Sequence, residues 1–195
     1  MSAFWYLTRG TGVVALMVLT ASVALGIANV RRVRLPGAPR FVTLGLHRTV
    51  SLLAAAFVAV HVVTAVADGY VPLTVVDAVV PFSSAYHPFW IGLGAISLDM
   101  LLAVILTSLL RRRIGYRAWR VVHWTAYASW PVALVHSVGT GTDAGTGWMT
   151  ALILVLVSVM IAAVLARLSN RGSRAAPAPA TRRRGQSGAP VMTRS

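Results

Sequence analysis

Five apolar runs, at residues 4–29, 41–67, 89–110, 118–139 and 148–168, constrain this chain more than any other feature. Each approaches the ~20 residues that a helix needs to cross a hydrocarbon core ~30 Å thick. Lipid offers no water to a bare backbone, so such runs close their own N–H···O=C ladders as helices. Of the 195 residues, 57% are hydrophobic and only 11% charged, the balance of an integral membrane protein. The expected fold is all-α: a polytopic membrane bundle of five transmembrane helices over residues 1–168. Residues 169–195, rich in Arg, Ala, Pro, Ser and Gly, lack apolar periodicity and are expected to form a disordered cytoplasmic tail.

Charge placement orients the bundle. All 18 basic residues are arginine, against four acidic ones, for a formal net charge of +14. So basic a chain raises nucleic acid as a partner, but the arginines gather just outside the apolar runs, at 31–40, at 111–117 and after 167. That is the signature of cytoplasmic loops, and no nucleic acid is expected. Loops 68–88 and 140–147 carry no arginine and hold Asp68, Asp77 and Asp143. The expectation is a multi-pass cell-membrane protein with its N-terminus outside and its C-terminus cytoplasmic, the basic tail lying close to anionic lipid. The first run has only Arg9 before its centre and a strongly basic flank after it, and reads as a retained helix with a stop-transfer boundary rather than a signal peptide. The apolar stretch 73–80 is too short to span and is expected at the outer interface.

Four of the five histidines form two nearly matched pairs within the second and fourth runs. His47 and His61 are fourteen residues apart, and His123 and His136 thirteen. Both separations correspond to ~20 Å of helix, about two-thirds of the hydrocarbon thickness. The second and fourth runs share a direction, so His47 and His123 lie near the cytoplasmic end and His61 and His136 nearer the outer end. Fourteen residues turn ~1400°, leaving His47 and His61 on one face, whereas thirteen leave His123 and His136 ~140° apart. Pro131 lies between them; either its effect on local winding brings His136 round, or two cofactor planes sit on different sides of this helix. Imidazole is a strong axial ligand for haem iron, and two per iron fill both axial sites. The pattern points to two stacked non-covalent b-type haems, a route for electrons across a bilayer, with all four histidines as iron ligands. The chain has no cysteine, which excludes thiolate-held clusters, thiolate haem and covalent c-type attachment. A zinc site would want histidines a turn apart or clustered with carboxylates, which this spacing does not give. The rival from another class is a non-redox proton or metal transporter or sensor using the same histidines.

Arg48, Arg117 and Arg120 flank the cytoplasmic-end histidines, where each either neutralises a haem propionate or serves topology alone. Arg9 either meets an outer propionate or snorkels to headgroups. Asp99, in mid-span, is expected to be buried, paired or protonated, in a structural role or in proton movement. Trp130 stands at mid-height between His123 and His136, filling the gap between cofactors or packing against helices. His87 has no partner at matching spacing and reads as an interfacial or turn residue. Gly10, Gly12, Gly26, Gly92 and Gly94 are expected where helices or a cofactor approach closely.

The spacings H-x13-H and H-x12-H on alternate runs, with RAWRVVH at 117–123 and WPVALVH at 130–136, resemble the ferric reductase-like transmembrane domain family. That family includes ferric reductases, the membrane part of NADPH oxidases and the haem-binding membrane subunit of methionine sulfoxide reductase systems. The resemblance covers roughly residues 5–168. It implies a b-type cytochrome, an oxidoreductase component that passes electrons from a separate cytoplasmic or membrane donor to an external acceptor, either ferric iron or a partner reductase. A member serving as the membrane subunit of a methionine sulfoxide reductase system is the alternative. Family members often have six helices where five are read here, and no dinucleotide-type glycine motif follows the fifth run. The donor is therefore expected to be another protein, a quinol or a flavin, with no recognisable motif for either small molecule.

Overall fold

The computed structural model describes residues 2–30, 40–69 and 71–172. Its elements are α1 (Ala3–Val30), α2 (Arg40–Ala67), α3 (Val75–Val79), α4 (Pro88–Leu109), α5 (Arg111–His123), α6 (Thr125–Thr140) and α7 (Gly147–Gly172), with no strand among the described residues. Arg31, Arg32 and Arg34, and the tail from residue 173, lie outside the described residues. α7 runs through 169–172, residues that the sequence reading gives to the tail.

Four helices are long and apolar enough to cross a membrane: α1, α2, α4 and α7. The fourth apolar run, expected as one span, is instead divided between α5 and α6. The division falls at Trp124, and a second break, at Gly115, lies earlier, inside α5. Gly115 adopts φ 81°, a left-handed conformation that favours glycine, and turns the chain out of the arginine-rich stretch after α4. At Trp124 the ladder tightens to i→i−3 bonds, from Trp124 N–H to Val121 O (3.2 Å) and from Tyr127 N–H to Trp124 O (3.1 Å). Trp124 itself keeps right-handed helical dihedrals. Pro131 lies inside α6, and the tightened turn at Trp124 also falls between His123 and His136.

α1 forms the centre. Its Leu16, Leu19, Val23 and Ile27 pack with Trp130 of α6 and with Leu156 and Met160 of α7. In mid-bundle the Trp130 indole N–H donates to Thr20 Oγ1 (2.7 Å), and both residues are buried. That bond satisfies a polar group which would otherwise be costly inside an apolar core. α1 also packs along the length of α2, and α4 along α6, each pair antiparallel. Among the described residues, α2 makes no comparably extended packing with α5 or α6. α1 thus touches both α2 and α6, while α2 stands off from α5 and α6 across a slot among the described residues.

The apolar stretch 73–80 contains the short helix α3, started by a reciprocal cap. Thr74 Oγ1 accepts the Asp77 N–H, and Asp77 Oδ2 accepts the Thr74 N–H (2.9 Å) and hydroxyl (2.8 Å). Ser83 donates to the other carboxylate oxygen at 3.0 Å. These bonds, the Thr74 backbone N–H foremost, hold the Asp77 carboxyl below its ordinary range. Phe82, itself at φ 65°, packs on Gly92 where any side chain would collide with it. Nearby, Arg9 pairs with Asp143 and lies over the Trp5 ring, tying α1 to the loop before α7. The structure thus gives Arg9 a protein carboxylate as a partner.

Candidate functional site

The slot is bridged at two heights by histidine rings. His47 of α2 faces His123 of α5, with ring centres 6.5 Å apart and planes at 81°. His61 of α2 faces His136 of α6 at 6.4 Å and 82°. The pairing is the one expected for parallel helices, lower with lower and upper with upper. Fourteen residues of α2 separate the two levels by ~21 Å.

These separations fit two imidazoles on opposite sides of one metal. Metal–nitrogen bonds of about 2.0–2.1 Å, plus roughly 1.1 Å from nitrogen to ring centre on each side, place the ring centres about 6.3 Å apart. Each ring can turn about its metal–nitrogen axis, so near-perpendicular planes suit the same arrangement. Among the described residues no three His, Asp or Glu side chains converge as a closed cage would require. The donor set at each level is two imidazoles alone, that of a bis-histidine haem.

Three of the four rings are oriented by the same device. His61 Nδ1 meets Thr8 O at 2.8 Å, His47 Nδ1 meets Ser22 O at 3.0 Å, and His136 Nδ1 meets Trp90 O at 2.8 Å. A carbonyl only accepts, so each Nδ1 carries the proton and Nε2 keeps its lone pair for a metal. In every case the residue four positions after the acceptor is glycine: Gly12, Gly26 and Gly94. A Cβ there would come within 2.8 Å of the His61 ring, 3.4 Å of His47 and 2.6 Å of His136. In a helix the carbonyl of residue i−4 already receives the N–H of residue i. A bare glycine at i lets the imidazole settle on the helix and use that carbonyl's second lone pair.

His123 departs from the device. Its Nδ1 is buried and has no hydrogen-bond partner among the described residues. The ring instead stacks on Trp119, centres 4.8 Å apart and planes at 26°. The Trp119 indole N–H donates to Ser108 Oγ at 3.1 Å, and the Arg111 guanidinium lies 4.2 Å from the Trp119 ring centre.

Of the other sequence candidates, Arg48, Arg117 and Arg120 are exposed and make no ion pair or hydrogen bond among the described residues. Asp99 is half-buried in α4 and likewise unpaired among them. His87 starts α4 at φ 42°, beside Tyr86 and away from both pairs. Gly12, Gly26, Gly92 and Gly94 each meet a ring, whereas Gly10 faces open space. Sequence reasoning missed Trp119, Ser108 and Arg111, and also Arg167, which donates to Tyr127 Oη at 2.7 Å across α6 and α7. It also missed the three acceptor carbonyls. One signal was present: Gly12 and Gly26 repeat the fourteen-residue interval of His47 and His61.

Comparison with known families adds one match: the model for the ferric reductase like transmembrane component covers residues 11–134. The matched span contains His47, His61 and His123 and stops two residues before His136. No curated protein and no solved structure matches the chain. With more than half of its length inside the family model and helices able to cross a membrane several times, the chain belongs to the ferric reductase like transmembrane family, a family of multi-pass membrane electron carriers.

Proposed function

We propose that this chain is a b-type cytochrome of the cell membrane that moves electrons between two bis-histidine haems. His47 and His123 would hold one haem, and His61 and His136 the other. The observation that carries the proposal is the pair of ring separations, 6.5 and 6.4 Å, repeated at two heights between α2 and the α5–α6 stretch. Bound haem would supply a one-electron iron couple in a setting with no cysteine. The chain's own part is to present Nε2 of each ligand, hold three rings by carbonyl bonds and keep the two levels apart. Trp130 and Ala54, both buried, lie at mid-height on the ligand-bearing helices.

The orientation follows the arginines. Residues 111–113, 117 and 120 stand at the His47–His123 end, while Asp68, Asp77 and Asp143 stand at the other. The N-terminus is then outside, and His47 and His123 form the inner site. α5 and α6 together complete a fifth span. Electrons would enter from a cytoplasmic or membrane donor, a protein, quinol or flavin, and leave to external ferric iron or to a partner reductase such as a methionine sulfoxide reductase. Arg48, Arg117 and Arg120, exposed and unpaired among the described residues, would meet haem propionates at the inner end.

The test is a pyridine-haemochrome assay with redox difference spectra on purified protein and on His47→Ala, His61→Ala, His123→Ala and His136→Ala. Two low-spin b haems per chain are expected, with one lost in each variant. Protein made with ample haem that binds none would reject the proposal and move proton or metal transport forward.

A further inference from the structure

The two histidine pairs are built differently, and the difference lies on α4. Along α1, Gly12 and Gly26 lie fourteen residues apart and serve His61 and His47. Along α4, Gly94 serves His136, and fourteen residues further stands Ser108. The carbonyl that a fourth cradle would offer, four residues before Ser108, is that of Val104. The Ser108 hydroxyl takes that carbonyl itself, at 2.6 Å, and receives the Trp119 indole N–H on its other side. His123, at the level this cradle would serve, has a buried Nδ1 without an acceptor among the described residues and lies against the Trp119 ring.

We infer that Ser108 closes the fourth cradle, that Trp119 is the positioning residue which braces His123 in its place, and that the haem of the His47–His123 pair is in consequence the easier of the two to reduce. The inference rests on the two-haem reading proposed above. An imidazole whose N–H is held by a carbonyl is the more basic ligand and favours ferric iron. At the His61–His136 level both ligands are so held, whereas at the other level only His47 is. Loss of an outer-shell partner of a metal-bound histidine changes affinity or activity by about 10–100-fold. The expected difference between the sites is about tenfold in the one-electron reduction equilibrium, or ~59 mV.

The experiment is a spectroelectrochemical titration of the full chain in detergent, after haem stoichiometry has been measured. His61→Ala and His136→Ala each leave the His47–His123 haem alone for assignment, and His47→Ala and His123→Ala leave the other. The inner haem is expected to titrate about 59 mV above the outer. Ser108→Gly removes the 2.6 Å hydroxyl bond from the Val104 carbonyl, leaving the longer Thr107 contact at 3.3 Å, and is expected to lower the inner midpoint toward the outer one, with the outer haem and all nearby arginines unchanged. Trp119→Leu is expected to alter the electron-paramagnetic-resonance signature of the inner ferric haem alone, and Trp119→Phe, which keeps the stack, to restore much of it. If the single-site variants fold poorly, Ser108→Gly in the two-haem protein gives the same reading, because one of two components must move. Equal midpoints, an inner haem below the outer, or an inner midpoint unmoved by Ser108→Gly would each overturn the inference while leaving the two-haem reading standing. A protein without haem would instead remove that reading first.

Discussion

At the scale of single residues, the glycines beside the histidines make the sharpest demands. A methyl group at Gly94 or Gly12 would stand 2.6 or 2.8 Å from ring atoms of His136 or His61, closer than packed atoms tolerate, whereas at Gly26 the nearest ring atom is 3.4 Å away. Gly94→Ala and Gly12→Ala should therefore each reduce occupancy of the outer haem by most of its value. Gly26→Ala should lower inner occupancy only partly, and Gly10→Ala, with nothing within 4 Å, should leave both intact. Gly10→Ala should even stabilise α1 slightly, by about 0.5–1 kcal/mol, because alanine loses less backbone entropy in a helix. Haem-to-protein ratios across the four variants read this order directly, and equal losses at Gly10 and Gly94 would disprove it. Thr20 and Trp130 set a second test. Thr20→Val leaves the buried indole N–H without its acceptor and should cost about 1–3 kcal/mol, seen as a lowered midpoint in thermal unfolding. The two histidine pairs were legible because ionisable side chains stand out within apolar runs. The carbonyls of Thr8, Ser22 and Trp90 were not, since every residue has one and only the packed register decides which meets a ring.

At the scale of elements, the apolar runs located α1, α2, α4 and α7, because length and hydropathy leave lipid-immersed backbone few alternatives. The fourth run was read as one helix and divides at Trp124. The signal for that tightened turn is weak: Trp124 is an ordinary helix residue, while the conspicuous Pro131 passes within an unbroken α6. Gly115 is the more readable breaker, since its positive φ is costly for other residues. α3 allows a pH prediction. The Asp77 carboxyl lies below its ordinary range in the folded loop because Thr74 and Ser83 donate to it. A depressed folded pKa contributes stability that is fully present above the unfolded carboxylate value and is lost as pH falls through the folded one. Hydrogen exchange across residues 74–83 should accordingly stay slow at neutral pH and quicken, beyond the intrinsic rate, only below the usual carboxylate range. Asp77→Asn should show quickened exchange already at neutral pH and lose that dependence. Unchanged protection in the variant would mean that Phe82 on Gly92, not the cap, holds the loop.

At the scale of the whole molecule, two histidine levels ~21 Å apart take up about two-thirds of the membrane, and with them about two-thirds of any voltage across it. A charge crossing the full field gains or loses ~2.3 kcal/mol per 100 mV, so one electron passing between the levels feels ~1.5 kcal/mol. An inner haem tenfold easier to reduce would make the outward step uphill by ~1.4 kcal/mol, which a potential of ~100 mV, negative inside, just offsets. The architecture then predicts voltage-dependent outward transfer. The orientation can be fixed independently, because a chain without cysteine accepts single reporters cleanly. Gly145→Cys, in the loop before α7, should react with an impermeant maleimide from outside, and Arg112→Cys only after permeabilisation. In oriented vesicles carrying an internal reductant, an inside-negative potassium diffusion potential of ~100 mV should then shift the distribution of electrons toward the outer haem by about tenfold, and an inside-positive one should shift it back. The two haems are told apart by the single-site variants, so the shift can be followed as reduction of one at the expense of the other. A distribution indifferent to voltage would mean that both irons lie at the same electrical depth. The histidine levels would then lie along the membrane plane rather than across it, and the electron path with them.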